Sequence, residues 1–427
     1  MWKKDLDDYL TTMEIYIDNY KGFTDTVIPF GDVNFFVGEN STGKTAVLNL
    51  MEVISHPNFW LMPEFNSNEI ELGYFSEMVN QNSSNKKYFA VGSSIGEFRL
   101  QSGHLQYIWM KFIEKEHAPE VSECKFIYKS KSVWCKLSEK SVSYQTKELE
   151  NDVKFSTWVR DFDGFGELVT IETKHVPFFG IIRSKVEDHL KGGEVHDSDQ
   201  FSFTGSYNRM FWIAPIRAKA KRWYESYSLS YTPEGAHTPL LLKKYQNTNT
   251  ARSRSFHEAI VEFGRQSGLF DEVRIMDDKP ENPFSVNVDY GKLSMNIANV
   301  GYGVSQVLPL VVEMLRIRGD SFAIQQPEVH LHPRAQAAFG DLIYKVATKN
   351  RNRLIIETHS DYMINRFRLA VNKGKSKVNA QVLFFSRDEN GIRVEQMPID
   401  QKGQYVGEVS KKYMEFFLEE ELKMLEM

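Results

Sequence analysis

The chain has 427 residues, beyond the usual span of one hydrophobic core, so two or three packed lobes are expected. Hydrophobic residues make up 41% and charged residues 26%, and the formal net charge of −5 excludes a surface built wholly to hold nucleic acid. No apolar run could span a bilayer and no secretory pattern opens the chain. Two cysteines, Cys124 and Cys135, are too few for a disulfide framework or a zinc cluster, so a cytoplasmic location is expected.

Residues 12–19 alternate like a strand, and Asn34-Phe35-Phe36-Val37 is a second short apolar run. Next comes Gly38-Glu39-Asn40-Ser41-Thr42-Gly43-Lys44-Thr45, a complete P-loop sequence. Val47, Leu48, Leu50, Met51, Val53 and Ile54 then repeat at helical spacing. Strand, glycine loop and helix are the context that such a loop requires. From about 85 to 175 short β-rich runs recur, and an antiparallel meander is expected. From about 180 to 285 the chain reads as mainly helical, with mobile loop tips at Gly192-Gly193 and Asn247-Thr248-Asn249. Within it Arg217, Lys219, Lys221 and Arg222 form a basic run. A solvated helix face and a local nucleic-acid contact are both open readings of it. The last third returns to α/β punctuation. Leu308, Val311, Val312 and Leu315 mark a helix. Residues 321–324, 354–356 and 382–385 read as buried strands.

The chemistry starts at the P-loop. Gly38 and Gly43 let the backbone fold tightly, so that N–H groups from Glu39 to Thr42 face a triphosphate at a helix start. Lys44 would reach the β- and γ-phosphates, and Thr45 would ligate Mg²⁺. Downstream, Gly301-Tyr302-Gly303-Val304-Ser305 precedes a helix. Alone it is a cap; in this order Gly303 and Ser305 are candidate donors to a γ-phosphate. A strand then leads into Gln325-Gln326-Pro327-Glu328, where a hydrolytic enzyme needs an acid for Mg²⁺ and a second for water. Glutamine carries no charge. One reading is a protein that turns ATP over slowly or not at all. Another is a glutamine put in place of glutamate to trap ATP, and Glu328 is a third candidate, an acid displaced by a few positions. His359 follows the next strand, at the ligand edge of a parallel sheet. His330 and His332 have metal-like spacing but no third ligand nearby, so interface or loop packing is expected of them.

These pieces resemble the ABC-type ATPases of the SMC and OLD-nuclease kind, and most of all the small bacterial ATPases of phage-defence operons. Asn19-Tyr20-Lys21-Gly22-Phe23 resembles that group's start. Trp212-Ile213-Ala214-Pro215-Ile216-Arg217-Ala218 is similar to its Pro-Leu-Arg segment, and Tyr231-Thr232-Pro233-Glu234-Gly235 to its Pro-Glu-Gly loop. The group reads Ile-Glu-Gln-Pro-Glu where this chain has Ile324-Gln325-Gln326-Pro327-Glu328, so Gln325 is the departure. The resemblance implies an α/β P-loop NTPase head of ABC type, with a mixed sheet, an antiparallel β lobe and an inserted, mainly helical lobe. Expected bounds are 1–60 plus 286–427 for the ATPase core, 61–180 for the β lobe and 181–285 for the insertion. It also implies ATP and Mg²⁺ as cofactors and a head-to-head homodimer or higher even-numbered oligomer. Gln325, Gln326, Glu328 and His359 fall at catalytic positions, with Thr45 and Gln325 at the metal. OLD nucleases carry a C-terminal Toprim domain. Here 411–427 reads as a final helix, so a separate nuclease or toxin is the expected effector. The alternatives are an SMC-like ATPase clamping DNA and a non-hydrolysing, nucleotide-dependent scaffold.

Overall fold

The computed structural model describes residues 13–417 apart from 57–58, 61, 67–69, 96–105, 151–152, 173–185, 188, 191–209, 226–229, 278–281 and 390. The tip expected at Gly192-Gly193 lies outside the described residues, as does the C-terminal helix beyond 417. The chain divides into two compact units. One holds residues up to Phe30, Ser41–Arg209 and Ser386–Val394; the other holds Gly31–Asn40, Met210–Phe385 and everything from Glu395 on.

The first unit is built on an eight-stranded sheet. Its strands are β1 (Met13–Asp18), β2 (Thr26–Phe30), β4 (Tyr88–Ile95), β5 (Gln106–Lys115), β6 (Ala118–Tyr128), β7 (Lys131–Leu137), β8 (Ser141–Glu148) and β9 (Val169–Glu172). The order is β2-β1-β4-β5-β6-β7-β8-β9, with antiparallel neighbours throughout. This is the expected meander, extended by two strands that had been assigned to the ATPase core. Both edges of β1 are taken by antiparallel partners, with Ile17 opposite Thr26 on one side and Val91 on the other. The Asn19 amide, just past its end, donates to the carbonyls of Asn85 and Tyr88. The helices of this unit include α1 (Lys44–Ser55), α2 (Phe75–Met78) and α3 (Phe155–Trp158).

The second unit carries the parallel sheet, apart from the Ser386–Val394 ends of its last two strands. Its strands are β3 (Val33–Gly38), β10 (Met210–Ile213), β14 (Ser321–Gln325), β15 (Arg353–Glu357), β16 (Ala380–Asp388) and β17 (Gly391–Ile399), in the order β10-β14-β15-β3-β16-β17. Strands β10 through β16 in that order pair in parallel. β3 is buried at every position, as a central parallel strand must be. Its one polar residue, Asn34, is fully bonded. Asn34 donates to the Gly31 and Leu354 carbonyls and accepts from the Gly31 N–H and the Gln381 amide. That network locks β15, β3 and β16 in register.

Residues 181–285 were expected to form a separate helical insertion. Instead β10 joins the parallel sheet, and the helices α4 (Thr238–Gln246) and α5 (Ala251–Ser267) share the core of that sheet. Phe211, Phe256, Phe263, Phe322 and Val311 belong to one buried cluster. A small sheet follows, with strands β11 (Glu272–Met276), β12 (Ser285–Tyr290) and β13 (Leu293–Asn296). The remaining helices are α6 (Tyr302–Arg316), α7 (Pro333–Asn350) and α8 (Asp361–Lys373). Residues 411–417 are helical. Among the described residues no helix is long and apolar enough to cross a membrane.

Candidate functional site: a glycine loop and a polar strand edge

β3 runs directly into the glycine loop. Gly38 has φ +144°, and a Cβ there would strike the Phe385 carbonyl, so only glycine fits where the loop leaves the sheet. The boundary between the units falls inside the loop, between Asn40 and Ser41. Glu39, Asn40, Ser41 and Thr45 are exposed, whereas Thr42 and Lys44 are buried. Ser41 takes φ +61° and Gly43 φ +89°. Left-handed residues of this kind turn successive N–H groups to one side and make an anion nest. α1 then begins with no side-chain cap and no acid in its first turn, so its own first residues put no carboxylate at its positive end.

In the second unit, β14 and β15 end level, with Gln325 opposite Glu357. Both are buried at the C-terminal edge of the parallel sheet. The Gln325 amide donates to Glu357 Oε2 at 3.5 Å, a long contact. Gln326 turns the chain with φ +42°, its N–H donating to the Glu357 carbonyl at 2.8 Å. Glu328 then points back at the end of β15. Its carboxylate accepts the Thr358 hydroxyl at 2.8 Å and the His359 N–H at 2.7 Å. Burial raises the Glu328 pKa above the usual carboxylate range, against those two bonds and the nearby Arg217 charge. His359 is half-buried, its ring 5.9 Å from that of Phe416.

The α6 start lies in the same unit. Gly301 and Tyr302 are exposed, and the helix has neither a side-chain cap nor a first-turn acid. Ser305 is buried, and its hydroxyl donates to the Tyr302 carbonyl at 2.9 Å. A Cβ on Gly303 would meet the His330 carbonyl at 2.7 Å, so this glycine lets the helix start pack against the 326–332 turn. Pro309, inside the helix, has no N–H to give the Ser305 carbonyl. Further along, buried Glu313 bonds His237 at 2.9 Å and Arg316 at 2.6 Å. Burial raises its pKa, but those two partners outweigh burial and hold it below the usual range.

The structure thus places Gln325, Gln326, Glu328 and His359 on one strand edge, with Gly303 beside the same turn. His330 and His332 part. His332 caps α7 by accepting the Ala335 N–H, while His330 sits edge-on to Tyr302 at 4.8 Å. Two further residues at this edge carry no local sequence signal of their place. Glu357 is a strand-end acid visible only once the pairing of β14 and β15 is known. Arg217, grouped by sequence with a basic surface run, is 2% exposed, while Lys219, Lys221 and Arg222 are exposed and the segment is not helical. In the second unit the side-chain amide oxygen of Gln325 and the Glu357 carboxylate are hard oxygen donors suited to Mg²⁺; in the first unit the Thr45 hydroxyl is another.

The profile of the AAA ATPase domain family matches residues 13–162 and 218–364, more than half of the chain. Over 120 residues the chain is 28% identical to an OLD nuclease of Thermus scotoductus (strain ATCC 700910 / SA-01). That stretch is 26% of this chain and spans 23% of the relative's length. Among solved structures, an Smc head bound to the C-winged helix domain of ScpA matches with a TM-score of 0.46 at 14% identity. The match covers 91% of this chain and 98% of that one. An Smc head domain with an extended coiled coil, bound to the C-terminal domain of ScpA derived from Pyrococcus furiosus, gives 0.43 at 12% identity over 97% and 98%. The family match takes in the glycine loop, the α6 start, the β14 strand end and His359, and on it the chain belongs to the AAA ATPase domain family.

Proposed function

We propose that this protein is an ATP-gated head that pairs with a second copy and serves as sensor and regulator of a separate nuclease or toxin in antiviral defence. The observation that carries the pairing is the surface start of α6. Its first-turn N–H groups have no side-chain cap and no internal acid, and Ser305 lies in that turn. A helix start of this kind takes a phosphate, and the P-loop of another copy would present one. In this reading Gly38 to Thr45 hold the triphosphate, with Lys44 on the β- and γ-phosphates and Thr45 on Mg²⁺. The Gln325 side-chain amide oxygen and the Glu357 carboxylate would help to hold that ion. Mg²⁺ would neutralise charge on the phosphates. Before ATP arrives Glu328 holds the 358–359 segment in place, which sets His359 to meet the γ-phosphate, and Gln326 orients water. Native mass measurement with and without ATP and Mg²⁺ tests the pairing. An effector is tested by ATP-dependent co-elution with the product of an adjacent gene.

A second reading, a nucleotide-dependent scaffold with little turnover, is favoured by Gln325 itself. An uncharged amide stands where the metal needs an acid, and its side-chain NH₂ donates to the Glu357 carboxylate. Gln325→Glu separates the readings. A gain in phosphate release of about tenfold or more supports a true hydrolase held back by this residue; no gain supports the scaffold.

A further inference from the structure

Arg217 follows the edge strand β10 and crosses the end of β14. Arg217 is 2% exposed and Gln306, in the first turns of α6, is 3% exposed. The Arg217 main-chain N–H donates to Gln306 Oε1 at 3.3 Å, and its Nη2 donates to the Gln325 carbonyl at 3.0 Å. Arg217 therefore ties the start of α6 to the end of β14. Arg217 Nε and Nη1, and Gln306 Nε2, have no hydrogen-bond partner among the described residues. Burial lowers the Arg217 pKa to about 10, and Glu328 is the acid whose charge opposes that shift. A guanidinium buried with one side-chain bond is a poor structural element, because an apolar side chain of similar length would cost less.

The idle donors make sense if their acceptor arrives in a second state. Glu328 is the nearby candidate, now held by Thr358 and His359. Pro309 leaves the Ser305 carbonyl without its helical donor, which removes one restraint on the first turn of α6.

We propose that Arg217 is a positioning residue that couples the Gln325–Glu328 strand end, serving the subunit's own ATP, to Ser305, serving the ATP of the partner copy. When a γ-phosphate engages His359, Glu328 passes to Arg217 and Gln306, and the start of α6 shifts with Gln306. The inference rests on the pairing reading above. ATP bound at one end is thereby reported to the other, as a coupling free energy between two sites.

The test compares wild type with Arg217→Met, Arg217→Lys and Gln306→Leu. A fluorescent ATP analogue gives monomer affinity at low protein concentration, and sedimentation gives the dimer constant with ATP and Mg²⁺. The expected result for Arg217→Met is affinity within about threefold of wild type and dimerisation weakened about tenfold or more. Arg217→Lys should recover part of the loss, and Gln306→Leu should reproduce it. If wild type closes with ATP and Arg217→Met closes equally well, this inference alone fails. It fails too if binding and dimerisation fall in the same proportion, since that marks a merely structural residue. If wild type never closes, the pairing reading falls first and this inference with it. Should Arg217→Met not fold, Gln306→Leu decides on the same two readouts.

Discussion

Each unit buries a cation, and the two are used differently. Lys125, on β6, is fully buried. Its Nζ donates to the carbonyls of Trp158 at 2.6 Å, Val159 at 3.3 Å and Asp161 at 2.9 Å. It lies 4.5 Å from the Trp158 ring centroid and 3.8 Å from that of Phe162. All three ammonium protons have acceptors, so Lys125 is a finished staple between the sheet and the end of α3. Arg217 is buried as deeply and has one side-chain bond. Burial alone therefore does not set the two cations apart; the unfilled bonding capacity of Arg217 does, and it is what calls for an explanation.

The difference can be broken by substitution. Lys125→Met should cost about 3–5 kcal/mol, because it strands three carbonyls, and urea unfolding measures it. Gln325→Glu should cost the nucleotide-free protein about 1–3 kcal/mol by setting a second carboxylate beside buried Glu357. Mg²⁺ and ATP should restore that loss, and a cost unaffected by them would remove Gln325 from the metal's surroundings.

A smaller effect concerns pH. Burial pushes the Lys125 pKa down to about 7, with Asp161 opposing. Between that value and the ordinary lysine range, the unfolded chain holds a proton that the folded chain lacks. Stability from this group is thus fully present above the ordinary lysine range and lost progressively as pH falls from there to about 7. Between pH 7 and 9 the wild type should gain stability, and Lys125→Met should show a flatter slope. The smallest expected change is for Arg217→Met, within about 1 kcal/mol of wild type, since its guanidinium satisfies so little. A loss as large as that of Lys125→Met would erase the distinction between the two cations.

What the sequence revealed follows the range of the interactions involved. The glycine loop, the β3 and α1 flanks, and the strands ending at Gln325 and Glu357 are local patterns, readable without knowing what pairs with what. The facing of Gln325 and Glu357 depends on a register between segments 32 residues apart. Glu328 reaches Thr358 and His359 across a similar gap. The first strands illustrate the same limit. An alternating strand fits either sheet, and β1 went to the antiparallel one because β2 and β4 filled both its edges. Arg217 is buried although its neighbours Lys219, Lys221 and Arg222 are exposed, and by sequence alone such a run of charges reads as surface. Only the placement of β10 against β14 carries its side chain under the Gln325 carbonyl.

The central claim is that ATP draws two copies together over the α6 start. Native mass spectrometry of the full chain, alone and with ATP and Mg²⁺, tests it most directly, with Lys44→Ala as the control that cannot grip the phosphates. The account predicts a monomer that becomes a dimer only with ATP and only when Lys44 is present. A wild-type chain that keeps the mass of a single copy at saturating ATP would contradict it.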